Sequence, residues 1–458
     1  MNKNNVSIDA RRRVSFVVLT GLFFIWGFII SMNNILIPYF KGIFELNYFQ
    51  AMLVQFAFFG SFFIGSLGYF VLSVRTGDPI AKIGYRNGMC FGLLVAAVGC
   101  LLFYPAATFQ SYGFFLGALF CLGLGVTFLQ IAANPYAALL GSEETASSRL
   151  NLAQGINSLG TIIGPLLGGF LIFEYFFDPL SAGAESVQTP YILFAGIFLL
   201  LALLVRITPF PEFHRSEAPV KGFGLFRYPQ ILLGVAAIFM SIGTEQTTGS
   251  ILINFLGLDN IAGLNESEAS KYVAFYWGGL MIGRLTGAAL FSGTSVKNKA
   301  YLISGVIATA LVVVFLSEGI RITGIFGSLI AVNLLAFFLG RSLPGRTLGF
   351  FALTIIALLG VAFFSTGYVA VWSVIGVGLF VSIMWSNIFT LAIRGVGKYT
   401  SQASSLLIMA ILGAALIPPL QGLAADSFGI QNSLLVILAT QIYIVWYGFW
   451  GCNKVKSI

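Results

Sequence analysis

Apolar runs of about 20 residues or more recur along the chain, and they constrain its fold more than any other feature. A run of that length crosses the ~30 Å hydrocarbon core of a bilayer as an α-helix. The runs lack the alternation of polar and apolar residues that is typical of barrel strands. Only 9% of the residues are charged, against roughly 25% in soluble domains. We therefore predict an all-α polytopic membrane protein with about fourteen transmembrane helices.

The basic residues indicate how these helices are oriented. Most of the 24 lysines and arginines lie in alternate loops, and loops rich in Lys and Arg stay in the cytoplasm. Both termini are therefore predicted to be cytoplasmic, in a multi-pass membrane protein. The first apolar run has no small-residue cleavage site, so we interpret it as the first span and not as a removed signal peptide.

An internal repeat predicts two halves. One constant shift aligns Gly123 with Gly376, Asn134 with Asn387 and, further along, Pro165 with Pro418. A weaker match near the first span needs a shorter shift, which indicates an added helical hairpin in the second half. The predicted division is an N-terminal bundle at 1–208, a cytoplasmic linker at 209–228 and a C-terminal bundle at 229–458, with the hairpin at about 297–341.

Several functional classes are excluded by the same residues. The net charge of +8 comes from loop residues that orient the spans, so no nucleic-acid partner is predicted. A lone histidine and cysteines without CxxC spacing predict neither a metal site nor a cofactor. The chain has no HExxH or GxSxG motif and no paired membrane aspartates, so an intramembrane enzyme is not expected. The residues concerned are His214, Cys90, Cys100, Cys121 and Cys452.

The stretch Ser241–Phe255 carries an acidic residue inside an apolar run. Glu245 lies ~22 Å from the start of that run at helical rise, where a charge is expensive and usually functional. Ser241 and Thr248 share its helical face, so the three are predicted to bind a coupling cation. Arg284 of the next span is the rival partner, because a buried Glu245–Arg284 pair could be purely structural. Direct substrate binding by Glu245 is a third interpretation.

Amide side chains form stripes on several predicted spans. Asn and Gln both donate and accept hydrogen bonds, and Trp can stack on the apolar face of a sugar ring. Such stripes predict a pocket for a small neutral, polyhydroxylated ligand, although single polar residues can also just bridge helices. The predicted substrate-binding residues are Asn33, Asn34, Gln130, Asn134, Gln154, Asn157, Gln246, Asn254, Trp385 and Asn387.

Six short motifs, spread over both halves, resemble those of the fucose–galactose–glucose symporter family of the major facilitator superfamily. The resemblance implies two six-helix bundles around a central sugar site, alternating access and ion-driven transport, in a bacterial inner membrane. The motifs are Asn33–Pro38 (NNILIP), Asn47–Ala51 (NYFQA), Ala132–Pro135 (AANP), Arg149–Gln154 (RLNLAQ), Ser186–Tyr191 (SVQTPY) and Gly283–Arg284.

Two positions depart from the proton-coupled fucose permeases of that family, in which the resemblance implies acidic residues. This chain has Asn34 and Gln130 there, and neither amide can titrate. Glu245, in its GTEQTTGS context, is similar to the glucose/galactose-type members. Because carboxylate and hydroxyl oxygens suit hard cations, the predicted function is Na⁺-coupled symport of a hexose such as mannose, glucose, galactose or an N-acetylhexosamine. The alternative is H⁺ coupling with Glu245 as the protonation site. A functional monomer is expected.

Overall fold

The computed structural model describes residues 3–46, 48–175, 184–212 and 221–453. Within these ranges the regular structure is helical. The first part of the chain forms α1 Lys3–Ile43, α2 Tyr48–Thr76, α3 Pro79–Ile83, α4 Tyr85–Leu101, α5 Phe103–Thr108, α6 Tyr112–Leu139, α7 Ala146–Phe170 and α8 Gln188–Ile207. The second part forms α9 Pro229–Leu256, α10 Glu266–Leu290, α11 Val296–Gly340, α12 Pro344–Phe364, α13 Gly367–Val381, α14 Met384–Ile393, α15 Thr400–Met409, α16 Gly413–Phe428 and α17 Ile430–Phe449.

Eleven helices among the described residues are long and apolar enough to cross a membrane, whereas about fourteen were predicted. Two reasons account for the difference. First, α7 and α10 are 25 residues long but carry too many polar side chains to be counted by hydropathy. Second, two predicted spans are joined in α11, which is 45 residues long. The all-helical, multi-span architecture agrees with the prediction.

The long helix α11 folds back on itself at Gly319. This residue has a φ of 77°, which a glycine adopts without steric cost. A Cβ atom placed on Gly327 would lie 3.5 Å from Leu311 Cδ2, so the arms on either side of Gly319 are in contact. The second arm packs into the protein, where Asn333 Nδ2 donates to the Leu379 carbonyl at 3.1 Å. A helical hairpin therefore occupies the place predicted for the added one.

The described helices cluster into two compact units. The first comprises Met1–Gly141, Ile156–Leu225 and Val396–Met409. Its core includes a stacked pair of rings, Phe103 and Tyr191, with centroids 3.6 Å apart. Within this unit α15 packs against α2 and α6, although it comes from the second half of the sequence.

The second unit comprises Ser142–Gly155, Phe226–Gly395 and Ala410–Ile458. Helix α9 lies at its centre and packs against α10, α13, α14, α16 and α17. The first ten residues of α7 belong to this unit, although they come from the first half of the sequence. The domain boundaries at 208 and 229 stay a prediction, and the contacts group these short segments of α7 and α15 differently.

Glycines allow α4 and α6 to approach closely in the first unit, as small residues commonly do between membrane helices. A Cβ atom on Gly125 would collide with the backbone of α4 at Ala96 and Gly92. By contrast, a Cβ atom on Gly117 of the same helix would meet no atom within 4 Å.

We therefore expect Gly125→Ala to destabilise the protein by about 1–3 kcal/mol, because it overpacks a close helix contact. Gly117→Ala is the matched control and should leave stability unchanged or slightly raised, since Ala favours helix over Gly. Thermal unfolding of the two variants in the same detergent measures the difference. Equal melting temperatures would contradict this account of the α4–α6 contact.

Candidate functional site

Glu245 is buried near the middle of α9, in the second unit. The helix begins with Pro229 at its first position, where a proline loses no hydrogen bond. Glu245 is about 24 Å further along at helical rise, and only 7% of it is exposed. The sequence therefore predicted correctly that this carboxylate is taken out of solvent on a membrane helix.

Arg284 of α10 is the charged partner of Glu245. Its Nη2 atom lies 3.4 Å from Glu245 Oε2, and the two side chains are 7% and 10% exposed. This distance is longer than the 2.7–2.9 Å typical of charge-assisted hydrogen bonds. The structure thus places beside Glu245 the residue that the sequence offered as the rival of a coupling cation. Their proximity is compatible both with a structural ion pair and with a carboxylate that exchanges its partner for an ion.

The other end of the Arg284 side chain is held by an interrupted helix. Arg284 Nε donates to the Ser382 carbonyl at 3.2 Å. Ser382 follows the last residue of α13 and precedes α14, so its carbonyl is not needed by a continuous helix. Gly283 permits this approach, because a Cβ atom there would collide with Ser382 Oγ. The sequence analysis did not identify Ser382, and only the Gly283–Arg284 motif marked this contact.

Oxygen-bearing side chains surround the acidic residue. Tyr276 of α10 donates its hydroxyl to the Glu245 carbonyl at 2.8 Å. Ser241 donates to Ile238 O at 3.3 Å, which leaves the lone pairs of its oxygen available. Thr248 lies near the Tyr276 hydroxyl and makes no hydrogen bond of normal geometry within the described residues. Tyr276 was missed by the sequence analysis, since one tyrosine in an aromatic-rich span carries no signal.

A polar stripe of α9 that includes the two predicted amides, Gln246 and Asn254, is open. Gln246 is partly exposed, and Ser250 and Asn254 are exposed. The Ser250 hydroxyl donates to the Gln246 carbonyl at 2.7 Å, so the amide of Gln246 is not occupied by that contact. This face can offer an amide and a hydroxyl to a ligand.

The remaining predicted sugar residues of the second unit are buried. Asn387 of α14 accepts a hydrogen bond from Asn151 Nδ2 at 3.0 Å and donates to Pro344 O at 3.4 Å. Trp385 is 5% exposed, and its indole nitrogen has no partner among the described residues. Gln154 of α7 is also buried. In this arrangement Asn387 is engaged in a helix-to-helix contact, which is the structural role that the sequence left open for any single amide.

We expect Asn151→Ala to lower the free energy of unfolding by about 1–3 kcal/mol, because it leaves a buried oxygen of Asn387 without its donor. Asn254→Ala is the control, since that amide is exposed on α9 and its loss should not change stability. Melting temperatures measured without sugar test both variants. If Asn151→Ala is as stable as Asn254→Ala, the hydrogen bond does not contribute to the fold.

The predicted sugar residues of the first unit lie on α1, α6 and α7. Asn157 Nδ2 donates to the Phe23 carbonyl of α1 at 2.7 Å. Gln130 Nε2 and both polar atoms of the Asn134 amide are buried without partners in the described part of the chain. The side chains of Asn33 and Asn34 lie outside what the structure describes, so the prediction for these two residues stays a prediction.

The chain is similar in sequence to known membrane transporters. The sequence model of the Major Facilitator Superfamily matches residues 19–418. The "Glucose/galactose transporter" of Brucella abortus biovar 1 (strain 9-941) is 40% identical over 440 residues, which cover 95% of this chain and 93% of the relative. The "L-fucose-proton symporter" of Escherichia coli (strain K12) is 30% identical over 440 residues, covering 91% and 88%.

The fold is similar to a solved structure of the same superfamily. The Major Facilitator Superfamily transporter FucP, in the outward conformation, matches with a TM-score of 0.75 and 28% identity, over 96% of this chain and 98% of that one. These findings confirm the family resemblance drawn from the short motifs, and they confirm the predicted fold class.

Proposed function

The chain belongs to the major facilitator superfamily, and from this premise we propose that it is a secondary active symporter that imports a neutral hexose of the glucose or galactose type. As a multi-pass transporter of that superfamily it is not an enzyme. Transport proceeds by alternating access, in which two repeats rock around one site.

The sugar specificity is supported by relatives and by the side chains themselves. The Brucella relative carries the name of a glucose/galactose transporter over 93% of its length. The open face of α9 presents the Gln246 amide beside the Ser250 hydroxyl, and such groups suit an uncharged ligand with many hydroxyls. Arg284, the cation of the site, is already engaged by Glu245. An anionic substrate is therefore not favoured.

The coupling ion is a proton in this proposal, and the observation that carries it is the Arg284–Glu245 contact at 3.4 Å. A metal cation bound directly to the Glu245 carboxylate would lie close to the guanidinium, and like charges at that separation repel. A proton instead neutralises the carboxylate and releases Arg284 from it, while Arg284 keeps its hydrogen bond to the Ser382 carbonyl. The L-fucose-proton symporter relative supports the same choice. The sequence had favoured Na⁺, with the proton as the alternative.

Glu245 is the residue proposed to carry this proton because the two positions at which the family resemblance implies acidic residues cannot. Asn34 and Gln130 are amides, and an amide does not titrate in this pH range. The buried carboxylate of Glu245 is balanced by the positive charge of Arg284. Protonation of the carboxylate removes its negative charge and so ends this ion pair. Protonation there would weaken the link between α9 and α10.

Na⁺ remains the second candidate because of the oxygen atoms beside Glu245. Ser241 and Thr248 share the helical face of Glu245. Thr248 carries a buried hydroxyl oxygen without a hydrogen bond of normal geometry among the described residues, and Ser241 donates to Ile238 O, which leaves the lone pairs of its oxygen available. Hydroxyl and carboxylate oxygens are ligands of hard cations. Such a site would require the Arg284 guanidinium to move away from Glu245.

Uptake into proteoliposomes tests the proposal. Purified protein is reconstituted, and labelled glucose or galactose is supplied while H⁺ and Na⁺ gradients are imposed separately. An inward proton gradient of one pH unit should drive accumulation of up to about tenfold at one-to-one coupling, because 1.4 kcal/mol corresponds to a factor of ten.

A protonophore should abolish this accumulation, whereas replacing Na⁺ by K⁺ should not change it. Accumulation that requires Na⁺ and ignores the protonophore would establish the second candidate instead. Membrane vesicles prepared from cells test orientation, because both termini are proposed to lie in the cytoplasm of a bacterial inner membrane. A protease added outside right-side-out vesicles should then leave both termini intact.

A further inference from the structure

One face of α10 is open along part of its length. Residues at helical spacing on this face, from Ala274 through Trp277 to Met281, are partly or fully exposed. At its end the same face meets α7, because a Cβ atom on Gly155 would lie 2.6 Å from Leu285 Cδ2. The open face thus leads towards the polar segment of α7 that carries Gln154.

The indole of Trp277 lies against α9 at a residue without a side chain. A Cβ atom on Gly249 would be 2.9 Å from Trp277 Cζ2, so any larger residue at 249 would push the ring away. Gly249 follows Gln246 by three residues and precedes Ser250. The ring is therefore seated on the open polar stripe of α9.

This arrangement combines the two kinds of contact that sugars make with proteins. A partly exposed indole offers a flat apolar surface, and the Gln246 amide and Ser250 hydroxyl beside it offer hydrogen bonds. The indole of Trp277 makes no hydrogen bond to protein within the described ranges. One turn of α10 separates Trp277 from Met281, which precedes Arg284 by three residues. Trp277 therefore lies on the helix that carries Arg284, the partner of Glu245.

We propose that Trp277 is the stacking platform of the sugar site and favours galactose over glucose, an inference that rests on the proposed sugar transport. In galactose the axial hydroxyl at carbon 4 leaves the C–H groups of carbons 3, 4 and 5 together on one ring face. In glucose the equatorial hydroxyl divides that apolar surface. An aromatic ring therefore gains more contact with galactose.

Two substitutions separate stacking from packing. Trp277→Leu keeps an apolar side chain against Gly249 but removes the aromatic face, and Trp277→Phe retains a smaller one. Binding of each sugar to the purified full-length protein is measured by calorimetry, with melting temperatures recorded for each variant. Trp277→Leu should weaken galactose binding about tenfold and glucose binding distinctly less, whereas Trp277→Phe should stay within about threefold of the wild type.

Gly249→Ala provides an independent test, because it displaces the ring without altering it. This variant should also lower the ratio of galactose to glucose affinity. Trp450→Ala is the control, since that indole is 61% exposed at the end of α17 and should not affect either sugar.

The outcomes distinguish this inference from the proposed function. Wild-type protein that binds neither hexose would overturn the sugar-transport proposal and this inference with it. Wild-type binding that Trp277→Leu retains with an unchanged galactose-to-glucose ratio would overturn the role of Trp277 alone. If Trp277→Leu does not fold, the ratio measured for Gly249→Ala decides in the same way.

Discussion

Glu245→Gln is expected to abolish ion-driven accumulation of sugar while sugar binding and exchange remain measurable. The amide is nearly isosteric with the carboxyl but cannot gain or lose a proton, so the ion gradient no longer biases the transport cycle. Coupling is a free-energy link between two binding events, and removing one of them leaves facilitated equilibration. The variant should therefore bring internal and external sugar to equal concentration and go no further.

Uptake into proteoliposomes under an imposed gradient measures this effect, and exchange of labelled for unlabelled sugar measures the retained activity. Glu318→Gln is the matched control, because it makes the same chemical change at an exposed residue beside the Gly319 turn of α11. Accumulation by Glu245→Gln that equals the Glu318→Gln control would place the coupling site elsewhere.

Arg284→Met is expected to destabilise the protein by about 3–5 kcal/mol, the second large effect. Both members of the Glu245–Arg284 pair are buried, and removing one partner leaves an uncompensated charge in a medium of low dielectric constant. The double variant Glu245→Gln/Arg284→Met should recover most of that stability, since it removes both charges. It should still fail to accumulate sugar, because it lacks the carboxyl.

Equilibrium unfolding in a mild detergent, applied to the two single variants and the double variant, gives the interaction energy as a double-mutant cycle. The stability of Arg284→Lys should fall between those of wild type and Arg284→Met, because lysine keeps the charge but loses the guanidinium Nε–H that contacts the Ser382 carbonyl. An Arg284→Met variant as stable as wild type would refute the claim that the Glu245–Arg284 pair stabilises the fold. The uptake result for the double variant then decides whether the pair also serves coupling.

Together these two experiments separate the interpretations that the sequence left open for Glu245. A pair that is only structural predicts a large loss of stability and normal coupling once the double variant restores the fold. A pair used in coupling predicts that restored stability is accompanied by lost accumulation. The contact at 3.4 Å agrees with either interpretation, whereas the measured stability and accumulation of the double variant can agree with one of them alone.

Hydropathy and periodicity were sufficient for the fold class. The apolar runs predicted membrane helices because each run must satisfy its own backbone hydrogen bonds in lipid. The same local information located the acid of α9. The internal repeat indicated the added hairpin, and the structure shows that the chain turns there at Gly319 with a positive φ. The hydropathy of the described helices gives fewer spans than the sequence predicted, since α7 and α10 carry polar faces that lower their apolar content.

The partners of the polar side chains could not be predicted in the same way. Asn157 and Asn387 looked equivalent as amides on predicted stripes. In the structure Asn157 donates to the Phe23 carbonyl and Asn387 accepts from Asn151. Periodicity states which face of a helix is polar, but it carries no information about which other helix faces it.

The sequence by itself determined that this protein is an all-helical member of a transporter superfamily with a carboxylate, Glu245, inside one of its apolar runs. Only the tertiary structure decided that Arg284 is the partner of Glu245, that Ser382 and Tyr276 support the pair, and that Trp277 rests on Gly249. The physical reason is that transfer into lipid is a local property of each segment. Pairing instead depends on the rotation and approach of helices that are far apart in the chain.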